Sequence, residues 1–248
     1  MVPGKHNWFW HGRNLHIFFD LVFTALIERI MERSQYMFSP KVVLWGGVAG
    51  VFCGLFWIMM GIAPETGGVT FILALALGLG GLTGLYSRQA GQGTRLGLAG
   101  LAFGIIGTVL ALATLWWGFT SGRFSPSTLQ EEPLLAASAV LILSLGVVTL
   151  GIGLTLLGVA SLYAKTLHRR RGLPLGLGLL SIIQSMTFWL VYYVPMSQGR
   201  NPWDTWPPEG YVLNVAALVL LGLGWIALGT MLATEAEATI AQPPPASA

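Results

Sequence analysis

The chain has 248 residues, of which 54% are hydrophobic and only 9% are charged, and its formal net charge is +3. A soluble domain carries about 25% charged residues, so this composition excludes an ordinary soluble globular protein and indicates a membrane protein. Apart from the run His168 to Arg171, no dense basic patch lies among aromatics, so the weak positive charge argues against a nucleic-acid partner. The sequence therefore predicts an all-α, polytopic membrane helical bundle.

Residues 1–41 are predicted to form an N-terminal cytoplasmic or interfacial segment with one amphipathic helix. Between Asn14 and Met37, apolar residues recur at three- and four-residue steps, and acidic residues line another face. This pattern favours a helix that lies along the membrane surface. The alternative is a seventh span, which would place Asp20 in the membrane at a cost of about 3 kcal/mol and would favour a conducting or proton-handling role.

Between residues 42 and 233, six apolar stretches without charged residues are each long enough to cross a hydrocarbon core of about 30 Å. They predict six transmembrane helices, at 42–62, 69–86, 96–119, 133–163, 173–194 and 211–232. The remaining residues, 234–248, are predicted to be a disordered cytoplasmic tail, because they end in a polar, proline-rich sequence.

The distribution of basic residues predicts the orientation of the six spans. Of the 13 Lys and Arg residues, all except Arg123 and Arg200 fall on the side that holds the N-terminus. Because Lys and Arg are enriched in cytoplasmic loops, both termini are predicted to be cytoplasmic, in a bacterial cytoplasmic (inner) membrane.

A weak internal similarity suggests that one helical hairpin is duplicated. Leu85-Tyr86-Ser87-Arg88 is similar to Leu162-Tyr163-Ala164-Lys165, and the same shift places Ile105-Ile106 on Ile182-Ile183. The pattern is typical of a parallel repeat of residues 69–119 and 134–194. The alternative is coincidence among Leu, Gly and Ile, which are abundant in this chain.

Two resemblances to known families accompany these patterns. The sequence from Gly84 to Gly91, followed by Arg95-Leu96-Gly97-Leu98-Ala99-Gly100, resembles small multi-pass bacterial membrane proteins of unknown function. That resemblance covers about 69–193 and implies a helical bundle, with no activity or site residues. Separately, Phe18-Phe19-Asp20-Leu21-Val22-Phe23 resembles the opening motif of the low-temperature-requirement membrane proteins. It implies that Asp20 is a buried functional acid and that the first helix spans the membrane.

Glycines spaced at four residues predict where the spans pack together. Gly46, Gly50 and Gly54 are predicted to form one face of the first span, and Gly100 and Gly104 a face of the third. Small residues at this spacing let two membrane helices approach closely. These five glycines are therefore candidate helix-packing positions.

Few side chains in the predicted spans are of types that catalyse reactions or bind ligands. The spans contain no nucleophile–base pair, acid cluster or metal-ligand spacing, so no catalytic, cofactor-binding or metal residue is assigned and the protein is not expected to be an enzyme. Gln184, Asn214 and Thr108 form a candidate polar site within the membrane. An amide in hydrocarbon needs a partner, so the two amides are expected to bond across helices. The alternative is a ligand site between helices.

One loop is distinctive, because it contains Trp203, Asp204 and Trp206 among prolines. It is interpreted as an anchor at the outer membrane interface, where tryptophan is enriched. The alternative is a cap over a groove or a contact surface for a partner.

These observations predict an accessory or scaffold subunit of a larger membrane assembly, acting through helix packing. Its expected partners are membrane lipids and other membrane protein subunits, without a cofactor. The alternative is a transporter of a small neutral or lipophilic solute.

Overall fold

A computed structural model describes residues 39–63, 67–89, 95–121, 133–164, 172–189 and 208–241. All regular structure in these ranges is helical, which confirms the predicted all-α class for the described chain. The helices are α1 Pro40–Ile62, α2 Gly67–Gln89, α3 Arg95–Thr120, α4 Pro133–Ala164, α5 Leu173–Phe188 and α6 Pro208–Ile240. The amphipathic helix predicted before residue 39, the Trp203–Asp204–Trp206 loop and residues 242–248 lie outside the described residues.

Five of the described helices are long and apolar enough to cross a membrane. The other, α5, has 16 residues and a length of about 24 Å. The predicted continuation of this span to residue 194 falls outside the described ranges. Large apolar side chains such as Trp45, Ile106 and Trp116 point outward from the helices, as expected where lipid replaces water. The chain therefore has the architecture of a multi-pass membrane protein.

Local sequence explains where α1 begins and ends. Ser39 precedes the helix, and its hydroxyl accepts the backbone N–H of Lys41 at 3.3 Å. Pro40 occupies the first position, where its missing N–H is harmless. At the other end, Ala63 precedes Pro64, and a residue before proline disfavours the helical conformation. From Val42 to Ile62 there is no charge or proline to interrupt the helix.

The helices alternate in direction, and consecutive helices pack side by side in a closed ring. Gly46 of α1 lies against Gly84 of α2, near the start of one helix and the end of the other, which is the register of an antiparallel pair. Lys41, Arg88 and Arg95 therefore lie at the same end of the bundle. We call this end the basic end and the other the opposite end.

The ring divides into two groups of three helices, because some neighbours pack much more closely than others. In the first half, α1 lies between α2 and α6 and packs closely against both. In the second half, α4 lies in the same way between α3 and α5. Contacts between the halves, from α2 to α3 and from α5 to α6, are far fewer.

Within each half, the backbones of neighbouring helices touch at glycines. A Cβ added to Gly107 of α3 would lie 2.3 Å from the backbone nitrogen of Leu150 in α4. One added to Gly158 of α4 would lie 2.3 Å from the backbone nitrogen of Leu175 in α5. Gly100, predicted as a packing position, would place its Cβ 2.8 Å from a carbonyl oxygen of α4. No side chain fits at these points, so each half is a unit of directly packed backbones.

The glycines predicted to share one face of the first span have different neighbours. A Cβ added to Gly46 would lie 2.5 Å from the Cα of Gly84 in α2. A Cβ added to Gly54 would instead lie 2.3 Å from the carbonyl oxygen of Gly222 in α6. Residues four apart are rotated by about 40° around a helix of 3.6 residues per turn, and this drift accumulates. Gly50 also lies against α6, at Gly229. All three glycines are thus at close helix contacts, with Gly46 against α2 and the other two against α6.

Two helices extend further than the sequence predicted. The α2 helix continues to Gln89, although the second span was expected to end at Tyr86. The α6 helix continues to Ile240, past residue 233, where the tail was expected to begin. Hydropathy falls in both places, but residues such as Ala, Glu and Gln favour the helix whether or not it is in lipid. The loss of apolar character therefore marked the edge of the apolar span and not the end of the helix.

Candidate functional site

The two halves meet through side chains, in contrast to the backbone contacts inside each half. A Cβ on Gly104 of α3 would meet the side chain of Leu82 of α2, and one on Gly224 of α6 would meet the side chain of Leu177 of α5. Leu82 and Leu177 are both buried. Side chains can change rotamer more easily than packed backbones can separate. In the described bundle, the interface between the halves is therefore easier to rearrange than the interfaces inside each half.

Near the opposite end, an amide pair joins the halves. The Gln184 side chain of α5 donates its Nε2 to the Oδ1 of Asn214 in α6, so the expectation that these amides bond across helices is confirmed. The carbonyl oxygen of Gln184 is buried and has no hydrogen-bond partner among the described residues. A buried polar atom without a partner costs about 1–3 kcal/mol.

Two serines meet at the contact between α4 and α5, inside the second half. Ser185 follows Gln184 in the chain and donates its hydroxyl to the carbonyl oxygen of Ser144, at 2.9 Å. The hydroxyl of Ser144 is itself buried and unpartnered within the described structure. Buried polar atoms without a partner are uncommon in proteins, and here Gln184 and Ser144 provide two at a similar level of the bundle.

A second amide joins the halves at the basic end. Gln89, the last residue of α2, donates its Nε2 to the carbonyl oxygen of Leu157 in α4, at 3.0 Å. The same nitrogen also bonds the hydroxyl of Ser161. Gln89 is only 1% exposed, and its carbonyl oxygen again has no partner in the described chain. The sequence analysis missed this residue, because it lies beyond the predicted end of the second span at Tyr86; its position one residue beyond Arg88 offered no signal that it is buried.

The basic end also carries an ion pair, which lies within the first half. Arg88 of α2 donates its Nε to the Oε2 of Glu235 in α6 at 3.0 Å, and both side chains are partly exposed. The pair joins α2 and α6, which otherwise touch each other little. It depends on the extension of α6 beyond residue 233.

The structure brings together only two of the three residues of the predicted polar site. Thr108 is buried on α3 and donates its hydroxyl to the carbonyl oxygen of Gly104, one turn earlier in the same helix. The α4 helix separates α3 from α5, so Thr108 is not adjacent to Gln184 and Asn214. A threonine whose hydroxyl is bonded to its own helix needs no partner elsewhere. This explains why Thr108 can be buried away from Gln184 and Asn214.

The described ranges keep their charged residues near the helix ends, at Lys41, Arg88, Arg95, Glu209, Glu235 and Glu237. Within these ranges, no group of three or more His, Cys, Asp or Glu side chains is placed to hold a metal ion. The buried polar groups are amides and hydroxyls, which can bind uncharged polar molecules through hydrogen bonds. No family model, curated protein or solved structure matches this chain. Its function must therefore be inferred from this arrangement.

Proposed function

We propose that the protein transports a small neutral or lipophilic solute across a bacterial cytoplasmic membrane, by a movement of its two halves relative to each other. The observation that supports this most directly is the contrast between the interfaces. Inside each half, glycine backbones are in direct contact; between the halves, leucine side chains and the hydrogen bonds of two glutamine amides form the contact. Rigid groups of helices that rock against each other are a general mechanism of membrane transport.

The energy of the inter-half contacts is compatible with such a movement. A hydrogen bond between membrane helices contributes about 0.6–2 kcal/mol. The bond at Gln89 and the bond at Gln184 lie at opposite ends of the interface, so one end can open while the other stays closed. Opening one end then breaks one amide contact and leaves the backbone contacts inside each half intact.

The neutral character of the solute follows from the placement of charge. In the described chain, no ionised side chain lies in the middle of a helix. A charged solute would have to leave water without an opposite charge to receive it, which is costly in a medium of low dielectric constant. The glutamine amides between the halves impose no such cost on an uncharged molecule.

We further propose that six helices cross the membrane, with α5 completed by residues up to 194, and that both termini are cytoplasmic. All three basic residues in the described ranges lie at the basic end, which supports this orientation. The test uses two fusions. Alkaline phosphatase joined after Ala63 is expected to be active, and green fluorescent protein joined after Ala248 is expected to fluoresce; the reverse result would contradict the topology.

The transport mechanism is tested by measuring distances between spin labels in lipid nanodiscs, on a Cys53→Ala background. Arg95 and Glu237 report on the two halves at the basic end, and Ile62 and Trp116 report on them at the opposite end. All four residues are exposed, so labels will fit. We expect two distance populations for each pair. A condition that lengthens the Arg95–Glu237 distance at the basic end should shorten the Ile62–Trp116 distance at the opposite end, and the reverse.

The matched controls are pairs within the first half. Lys41 with Glu237 joins α1 and α6 at the basic end, and Ile62 with Val212 joins the same helices at the opposite end. These residues are also exposed, and each control pair should give one narrow distance. If the pairs between halves are as narrow as the pairs within a half, the proposed movement does not occur.

An accessory or scaffold subunit remains the second candidate. The glycine faces that favoured it are occupied within the chain itself, but α5 exposes Gly176 in line with Leu179 and Ile183. A Cβ on Gly176 would have nothing within 4 Å, so a helix of another subunit has room to approach there. Recovery of a stoichiometric membrane protein with the chain after mild solubilisation, and its loss on Gly176→Leu, would favour this candidate.

A further inference from the structure

The two amide contacts between the halves share one arrangement. At the basic end, Gln89 donates its N–H groups to the second half through Leu157 and Ser161. At the opposite end, Gln184 donates an N–H group to Asn214 in the first half. In each glutamine the carbonyl oxygen is buried and unpartnered within the described residues. Each end of the interface therefore holds one amide whose donor is engaged and whose buried acceptor has no partner among the described residues.

The chemistry of a free carbonyl oxygen defines what it can bind. An amide oxygen accepts hydrogen bonds and donates none, so its ligand must carry an N–H or O–H group. The hydroxyl of Ser144 on the neighbouring α4 helix is also buried and unpartnered among the described residues, and it can donate as well as accept. No ionised side chain lies beside either Gln184 or Ser144 in the described chain, so the ligand is uncharged.

We propose that the Oε1 atoms of Gln89 and Gln184 are the binding positions for the transported solute, and that this solute is a small uncharged molecule with N–H or O–H donors, such as a primary amide or an alcohol. This proposal rests on the proposed transport function and specifies its substrate class. The solute bonds to one glutamine at the end that is open and to the other after the halves have moved. Donor capacity, and not lipophilicity alone, then determines which molecules are carried.

The experiment compares acetamide with N,N-dimethylacetamide. Both have a carbonyl acceptor, but only acetamide has N–H donors. Binding is measured by saturation-transfer NMR on the full chain in nanodiscs, with empty nanodiscs subtracted. We expect acetamide to bind and the dimethyl compound to bind about three- to tenfold more weakly, which is the effect of one lost hydrogen bond.

The variants Gln89→Met and Gln184→Met remove one acceptor each at similar volume. Each is expected to reduce acetamide binding, and the double variant to abolish it. The matched control is Ser181→Ala. Ser181 is buried on α5, and its hydroxyl bonds only the carbonyl of Leu177 in its own helix, so binding should not change. If Gln184→Met fails to fold because Asn214 loses its partner, the double variant Gln184→Met with Asn214→Leu is used in its place. That variant removes both amides, so no unpartnered amide is left.

Three results would overturn the inference: no acetamide binding to the wild-type chain, equal binding of both compounds, or wild-type binding by the double glutamine variant. The spin-label distances require no ligand, so they separate this inference from the proposed function. Moving halves without acetamide binding would leave the transport proposal in place and remove the substrate class. Rigid halves would remove the transport proposal whatever acetamide does.

Discussion

Gly54→Ala tests directly whether the helices inside one half are held together by backbone contact, because Gly54 of α1 packs against α6. The new Cβ would lie 2.3 Å from the carbonyl oxygen of Gly222, whereas ordinary van der Waals contact begins at 3.4 Å. The α1 and α6 helices must therefore separate by about 1 Å, and overpacking of this kind costs about 1–3 kcal/mol. The atoms in the way belong mainly to the backbone of α6, so no rotamer change relieves the contact.

The substitution also has a favourable effect, because alanine stabilises a helix by about 1 kcal/mol relative to glycine. Gly176→Ala isolates this effect, since a Cβ on Gly176 of α5 has open space around it. Subtracting one variant from the other removes the helix-propensity contribution. We expect the free energy of unfolding of Gly54→Ala to be lower than that of Gly176→Ala by about 1–3 kcal/mol.

The assay is reversible unfolding by titration with sodium dodecyl sulfate in mixed micelles, followed by circular dichroism. Gly54→Ala should unfold at a lower fraction of dodecyl sulfate than the wild type, and Gly176→Ala at an equal or higher fraction. Equal midpoints for the two variants would refute the reasoning, because they would show that α1 and α6 are not in backbone contact at this position.

Three further predictions concern single contacts. A double-mutant cycle on Arg88→Gln and Glu235→Gln should give a coupling energy below about 1 kcal/mol that decreases with salt, because both side chains are partly exposed; a coupling above 2 kcal/mol would require a buried pair. Gln184→Leu should destabilise the bundle by leaving Asn214 without its partner, and Gln184→Leu with Asn214→Leu should recover most of the loss; a double variant less stable than the single one would contradict this. Cys53 is 1% exposed, so it should react with N-ethylmaleimide only after unfolding in dodecyl sulfate, which mass spectrometry will show; rapid labelling of the folded protein would mean that α1 is not packed as described.

The helices themselves could be predicted closely from the sequence. The first span was expected at 42–62 and α1 is Pro40–Ile62, and the third was expected at 96–119 and α3 is Arg95–Thr120. A long run without charge must avoid water, and only a helix satisfies its backbone there. This constraint acts on each stretch alone, which is why one sequence was sufficient.

The partners of each helix could not be predicted in this way. A glycine at position 46 shows that some helix approaches closely, but not whether that helix is α2 or α6, since both are apolar and rich in glycine. Gln89 forms its hydrogen bonds with residues of α4 far along the chain. Such a pairing depends on how the helices are arranged around the ring, and no periodicity within α2 reports that.

The closure of the first half by α6 has a consequence for biosynthesis. The ribosome produces α1 early and α6 last, yet Gly47 and Gly54 of α1 are covered by α6. Until α6 leaves the translocon, the side of α1 that carries Gly47 and Gly54 faces lipid or a chaperone. By then α3, α4 and α5 already have each other as partners. The second half is thus able to assemble before α6 is synthesised, and the first half only afterwards.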